Sequence, residues 1–195
     1  DREAQFQLGV LYHAGTGVAA DAARAASLFE QAAIVGLTAA QYNIGLLYLR
    51  GDGVSRDRER AARWLRSAAA SGHEAAQLQL GHLYLRGVED TPDFARAQHW
   101  LRMAADRGAA EAQLGLGMIA LRGDTTPSPD ADTVAGAGTA APRPDPAAAL
   151  DWFRKAAEQG HVAAQFNLGV MYAQGLGTGA DPVQGLADAD GHGGL

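Results

Sequence analysis

The chain has 195 residues, 16 basic and 22 acidic side chains, a formal charge of −6 and no Cys. No Cys means no disulfide framework, thiolate metal site or thiol nucleophile, no run reaches the roughly 18 apolar residues of a membrane helix, and the negative charge disfavours binding to a phosphate backbone. Gly and Ala fill over a third of the chain, so a single core would be short of large apolar side chains and an internal repeat is the first thing to test.

The repeat is present, with a period of 36. In chain order, Gly9, Gly45, Gly81 and Gly117 are 36 residues apart, and Gly169 follows after 52. Asp21, Asp57, Asp93, Asp145 and Asp181 keep the same period with the same 16-residue slip. Trp64, Trp100 and Trp152 follow it too, with Leu28 in the first slot. Gly36, Gly72, Gly108 and Gly160 close the units, which run at about 1–36, 37–72, 73–108, 109–160 and, in part, 161–184.

Each unit predicts two helices. In the second, Ala40, Ile44, Leu47 and Tyr48 fall at helical spacing and form one apolar stripe. Gly51 suits the helix end, where the chain turns left-handed. Asp57 stands where an N-cap belongs, its carboxylate able to accept from the open amides of the next helix. Pro146 and Pro182 each follow a repeat Asp, as expected at the first helical position. The second helix carries Ala61, Trp64, Leu65, Ala68 and Ala69 and stops at Gly72. A Gly inside each first helix costs about 1 kcal/mol against Ala. Its recurrence predicts a neighbouring helix packed closely over it, with the large residue of the second helix as cover. On that reading the Trp is an anchor, and Trp100→Ala is expected to cost about 3–5 kcal/mol.

Two regions depart from the pattern. Five of the seven Pro lie between 127 and 146, and residues 125–144 have no apolar period. They predict a flexible insert between the helices of the fourth unit. Residues 185–195 are Gly-rich, and Asp188 takes the Trp slot, so the last helix is expected to be short or frayed. The opening Asp1-Arg2-Glu3 lacks the apolar stretch of a signal peptide. With neither end reading as a dedicated cap, a piece of a longer protein is the expectation.

The second unit, with Ala40, Ile44, Gly45, Tyr48, Gly51, Gly53, Val54, Asp57, Ala61, Trp64, Ala68, Ala69 and Gly72, resembles the Sel1-like repeat, a relative of the tetratricopeptide repeat. The resemblance covers residues 1–184. It implies an all-α fold of about five αα hairpins in a right-handed superhelix whose concave side is lined by first helices. It also implies bacterial adaptor roles: assembly of envelope or secretion machinery, polysaccharide export, polar development or signalling; the absence of Cys fits both cytoplasm and periplasm. A cell-wall or β-lactam-binding or hydrolysing protein is the alternative, because some Cys-rich relatives have been described that way. A structural spacer in a larger envelope protein is another.

Little in the residues points to chemistry. The Gly pairs 15/17, 51/53 and 175/177 follow helices, which is the wrong context for a phosphate loop. The one Lys, Lys155, has Trp152 three residues before it, so no Ser-x-x-Lys motif exists. The six His are scattered, and no cofactor is implied. The expectation is a non-enzymatic scaffold for a protein or peptide partner, without nucleic acid and without membrane insertion in this stretch. Its candidate binding strip combines two slots of the first helices: Arg50, Arg86 and Arg122, with Asn43, Gln79 and Asn167. Arg would pair bidentately with carboxylates of an acidic or extended peptide. A further row, Arg66, Arg102 and Arg154 on the second helices, reads as a solvated face.

Overall fold

A computed structural model describes residues 1–88, 90–123 and 143–178. Residues 125–142 of the expected insert, Asp181 and the tail 185–195 lie outside the described residues. The described part holds nine helices and no strand: α1 (Arg2–Ala14), α2 (Ala22–Ile34), α3 (Thr38–Arg50), α4 (Arg58–Ala70), α5 (Glu74–Arg86), α6 (Phe94–Ala105), α7 (Ala110–Arg122), α8 (Pro146–Glu158) and α9 (Val162–Ala173). Odd-numbered helices are the first helices of the hairpins and even-numbered ones the second. The protein is therefore all-α and built from a repeated helical pair. It divides into two compact units, Asp1–Pro92 and Asp93–Leu195, with the boundary in the turn between α5 and α6.

The second helices start where the repeat Asp places them. The Asp57 carboxylate accepts from the Arg60 N–H at 2.9 Å, and Asp21, Asp93 and Asp145 do the same for Arg24, Arg96 and Ala148. The backbone N–H of Asp57 donates to the Tyr48 carbonyl at 2.9 Å, tying the cap to the end of the helix before it. Losing the carboxylate leaves a first-turn amide without its partner. Asp57→Ala is therefore expected to cost about 1 kcal/mol, read as a lower urea midpoint at unchanged slope.

The two glycines of the turn do different work. Gly51 ends α3 in the left-handed conformation, φ 76°. Gly53 also has positive φ, and a Cβ there would lie 2.1 Å from the Ala22 carbonyl oxygen at the start of α2. Gly53 is thus the point where one hairpin's turn meets the preceding second helix.

In the first unit, α1 packs on α2, α2 on α3, α3 on α4 and α4 on α5. Its core holds Phe29, Ile44, Leu47, Tyr48 and a set of Ala, among them Ala25, Ala32, Ala40 and Ala61 at 0 % exposure. In the second unit α6 packs on α7, α7 on α8 and α8 on α9, around Leu150, Phe153, Leu168, Met171 and Tyr172.

One expectation about this core needs correcting. The residue that covers the in-helix glycine is the one after the Trp. A Cβ on Gly45 would stand 2.9 Å from Leu65 Cγ, one on Gly117 2.5 Å from Phe153 Cε1, and one on Gly9 2.8 Å from Phe29 Cε1. Phe29, Leu65, Leu101 and Phe153 are buried, while Trp64, Trp100 and Trp152 are half-buried. A 100° step per residue explains the difference: two adjacent large residues cannot both face the partner helix. The Trp flanks the contact instead. Two cations lie over the Trp152 ring, Arg102 at 5.0 Å and Lys155 at 4.4 Å from its centre.

Candidate interaction surface

A surface that binds a partner must first be separated from side chains the fold consumes. Most polar side chains of the repeat are consumed. Gln77 is fully buried, and its amide donates to the Ala69 carbonyl at 3.1 Å, the end of the preceding second helix. Gln41, Gln113 and Gln165 make the matching bond to Ala33, Ala105 and Ala157 at 3.3–3.4 Å. These Gln are spaced 36, 36 and 52 apart, so the repeat carried their signal, but no functional search looks for a backbone cap.

The repeat tyrosines consume the arginines of the second helices. The Arg60 and Arg24 guanidinium groups donate to the hydroxyls of Tyr48 and Tyr12 in their own hairpins at 3.2 and 3.1 Å. Tyr48 also donates to Glu30 of the preceding hairpin at 3.1 Å. The bond that Arg60 donates to the Tyr48 hydroxyl raises the Arg60 pKa above its ordinary value. The row read as a solvated face belongs to this system. Arg66 donates to Tyr84 at 2.7 Å and Arg154 to Tyr172 at 3.1 Å, each from one hairpin to the next. The slot facing Arg102 holds Ala120 instead of a tyrosine, and Arg102 lies over Trp152 instead. This row therefore joins hairpins. Arg66→Ala leaves the buried Tyr84 hydroxyl without that donor and is expected to cost about 1 kcal/mol. A urea titration against Tyr84→Phe and the double variant checks it, because the two effects must be less than additive.

The expected strip is placed as follows. In the first unit, Arg50 and Arg86 are exposed at the C-terminal ends of α3 and α5, and Asn43 and Gln79 are half-buried on the same helices. The Asn43 amide donates to the Ala39 carbonyl of its own helix at 2.8 Å. In the second unit, Arg122 is exposed and lies 5.3 Å from the Phe94 ring centre, and Asn167 is half-buried on α9. Two of the six, Gln79 and Arg86, come together in one open cleft, which they line with Leu49, Arg56, Arg58, His82 and Leu83. Arg56 and Arg58 were not on the sequence list. Their slots hold Ala20 and Ala22 in the hairpin before and Pro92 and Phe94 in the one after. A search for residues that repeat passes over residues peculiar to one hairpin. Arg58 pairs with Asp90, whose side chain is 88 % exposed.

His73 and His161, which share a slot, have local duties. His73 accepts the Ala76 N–H on Nδ1 at 3.2 Å and stacks on Tyr42 at 4.5 Å, and His161 lies 3.7 Å from Glu111. Among the described residues, no group of three or more His, Cys, Asp or Glu could hold a metal ion. Nor is any described helix long and apolar enough to cross a membrane.

Comparison with known proteins agrees with this geometry. The Sel1 repeat family model matches residues 2–36, 38–73, 74–108, 110–132, 136–161 and 162–187. A Sel1 repeat protein from Oxalobacter formigenes is similar over 100 % of this chain and 75 % of its own, at 28 % identity and a TM-score of 0.81. One from Klebsiella pneumoniae subsp. pneumoniae shares the fold at 21 % identity and a TM-score of 0.52, over 99 % of this chain and 88 % of its own. The protective antigen c5321 of uropathogenic Escherichia coli is 29 % identical with a TM-score of 0.49, and this chain spans 47 % of its length. No curated protein matches the sequence. With the repeat model matched along nearly the whole chain and the αα hairpins in register with it, the chain belongs to the Sel1 repeat family, whose members are generally protein-interaction scaffolds and typically non-catalytic.

Proposed function

We propose that the protein is an adaptor that binds a protein or peptide partner across the surface of its first helices, the concave side of the repeat, within a bacterial envelope, secretion or signalling assembly. One contrast carries this reading. Four arginines of the second helices, Arg24, Arg60, Arg66 and Arg154, bond to repeat tyrosines and serve the fold. Arg50 and Arg86 of the first helices are exposed and make no ion pair or ring contact among the described residues. Long cationic side chains that the fold does not use, set one repeat apart, offer a partner donors in a fixed spacing.

The test is cross-linking mass spectrometry on complexes captured from a bacterium that carries the gene. Cross-links that concentrate on α3, α5, α7 and α9 support the reading. Cross-links confined to α2, α4, α6 and α8 sink it. Arg50→Glu should reduce the captured partner severalfold, because charge reversal at an interface rim acts on both encounter and affinity.

A further inference from the structure

We propose that the cleft lined by residues at the start of α4 and along α5 is a carboxylate-binding pocket for an acidic peptide segment, and that Asp90 is a built-in competitor for it. The inference rests on the partner-binding reading above and names the chemistry of the partner at one place.

The chain as a whole carries −6, yet this cleft is lined by three arginines, Arg56, Arg58 and Arg86, together with Gln79 and His82. Like charges gathered around one cleft repel. An anion in the cleft relieves that repulsion, and paired guanidinium donors match the two oxygens of a carboxylate. Leu49 and Leu83 add apolar lining, which suits the methylenes of an acidic side chain better than a fully hydrated inorganic ion. The net negative charge elsewhere disfavours a long polyanion. The fit is to a short acidic segment that meets positive charge only at the cleft.

Asp90 supplies the second observation. Its carboxylate already sits on Arg58, so a carboxylate is the group this geometry accepts. The residue is held in the left-handed region, φ 62°, a conformation an Asp adopts at some cost. In the sequence, Val88-Glu89-Asp90 stands where the first two hairpins carry the end of a Gly-x-Gly-Val pattern. With 88 % of its side chain in water, Asp90 is weakly bound and displaceable. A partner carboxylate would replace it on Arg58 and gain Arg56 and Arg86 as well.

The test uses fluorescence anisotropy with the full chain and a labelled hexa-aspartate peptide, once with an amidated and once with a free C-terminus. Arg56→Glu and Arg86→Glu should each weaken binding about tenfold, the change expected for losing one charge-assisted contact of about 1.4 kcal/mol. Asp90→Asn should tighten it about threefold by removing the competitor. Its opposite sign separates a site effect from loss of fold, which circular dichroism checks directly. The two peptide forms tell whether side-chain or terminal carboxylates are held. Equal binding by all variants, weaker binding by Asp90→Asn, or displacement by inorganic phosphate as readily as by a second acidic peptide overturns the pocket. None of these touches the scaffold reading, which stands or falls on the cross-linking pattern along the first helices.

Discussion

Phe153→Ala should destabilise the protein by about 3–5 kcal/mol, and Trp152→Ala, one residue away and larger, by only about 1–2 kcal/mol. Phe153 is 0 % exposed and its ring lies directly over Gly117. Removing it opens a cavity between α7 and α8 that two backbones this close together cannot collapse to fill. Trp152 is half-buried, and its contacts with Arg102 and Lys155 are partly solvated. Urea unfolding followed by far-ultraviolet circular dichroism measures both. A Trp152→Ala cost equal to or above that of Phe153→Ala would contradict the packing described for this hairpin. The same order should hold one hairpin earlier, where Leu101 is 0 % exposed and Trp100 half-buried. The large cost expected from sequence for Trp100→Ala passes to Leu101→Ala, at about 2–5 kcal/mol.

That transfer shows what kind of information a repeat carries. Period and residue type placed the hairpins, the Asp caps and the Gly ends, because each of these is a local event that one residue decides through backbone conformation or one hydrogen bond. Which of two adjacent residues faces the neighbour is decided by rotation about the helix axis. Trp64-Leu65, Trp100-Leu101 and Trp152-Phe153 repeat with equal regularity, so spacing could not choose between them, and size pointed to the wrong member. The arginine rows show the same limit. Arg66 and Arg154 look solvated from composition alone, and only the position of Tyr84 and Tyr172, 18 residues further on, reveals their use.

The candidate site was legible in part for a related reason. Gln79 and Arg86 were found because they belong to rows, and the cleft holds both. Arg56 and Arg58 break the pattern of their slots, and a residue that breaks a repeat is invisible to a search for period. In a scaffold of this kind the periodic residues mostly hold hairpins together. Specificity for a partner then has to come from the exceptions, and the Arg56–Arg58 pair and the altered turn at Asp90 are two such exceptions on one hairpin junction.

Gly117 provides the severest test of the close helix packing. Gly117→Ala gains about 1 kcal/mol of helix propensity, yet its Cβ would stand 2.5 Å from Phe153 Cε1 and 2.7 Å from Cδ1. A ring buried on all sides cannot swing away as the end of a flexible chain would. Overpacking of this kind costs about 1–3 kcal/mol, so the Ala variant should be destabilised despite its better propensity. Gly117→Val adds two more methyl groups in the same direction, and the loss should reach roughly 3 kcal/mol or more. The clash is specific to one partner, which makes it testable by coupling. In a Phe153→Leu background the ring edge is gone, and Gly117→Ala should then cost far less than in the native protein, with an interaction energy of about 1 kcal/mol or more. At Gly45 the atoms met are Leu65 Cγ and Cδ2 at 2.9 and 3.0 Å, a side chain that can give by a small rotation, so Gly45→Ala should be the milder change. If Gly117→Ala proves neutral or stabilising in thermal and urea unfolding, the glycine at this slot is tolerated for some reason other than the approach of α8. If it is destabilising and relieved by Phe153→Leu, the glycine that recurs inside the first helices is the direct consequence of helices packed too closely for a side chain between them.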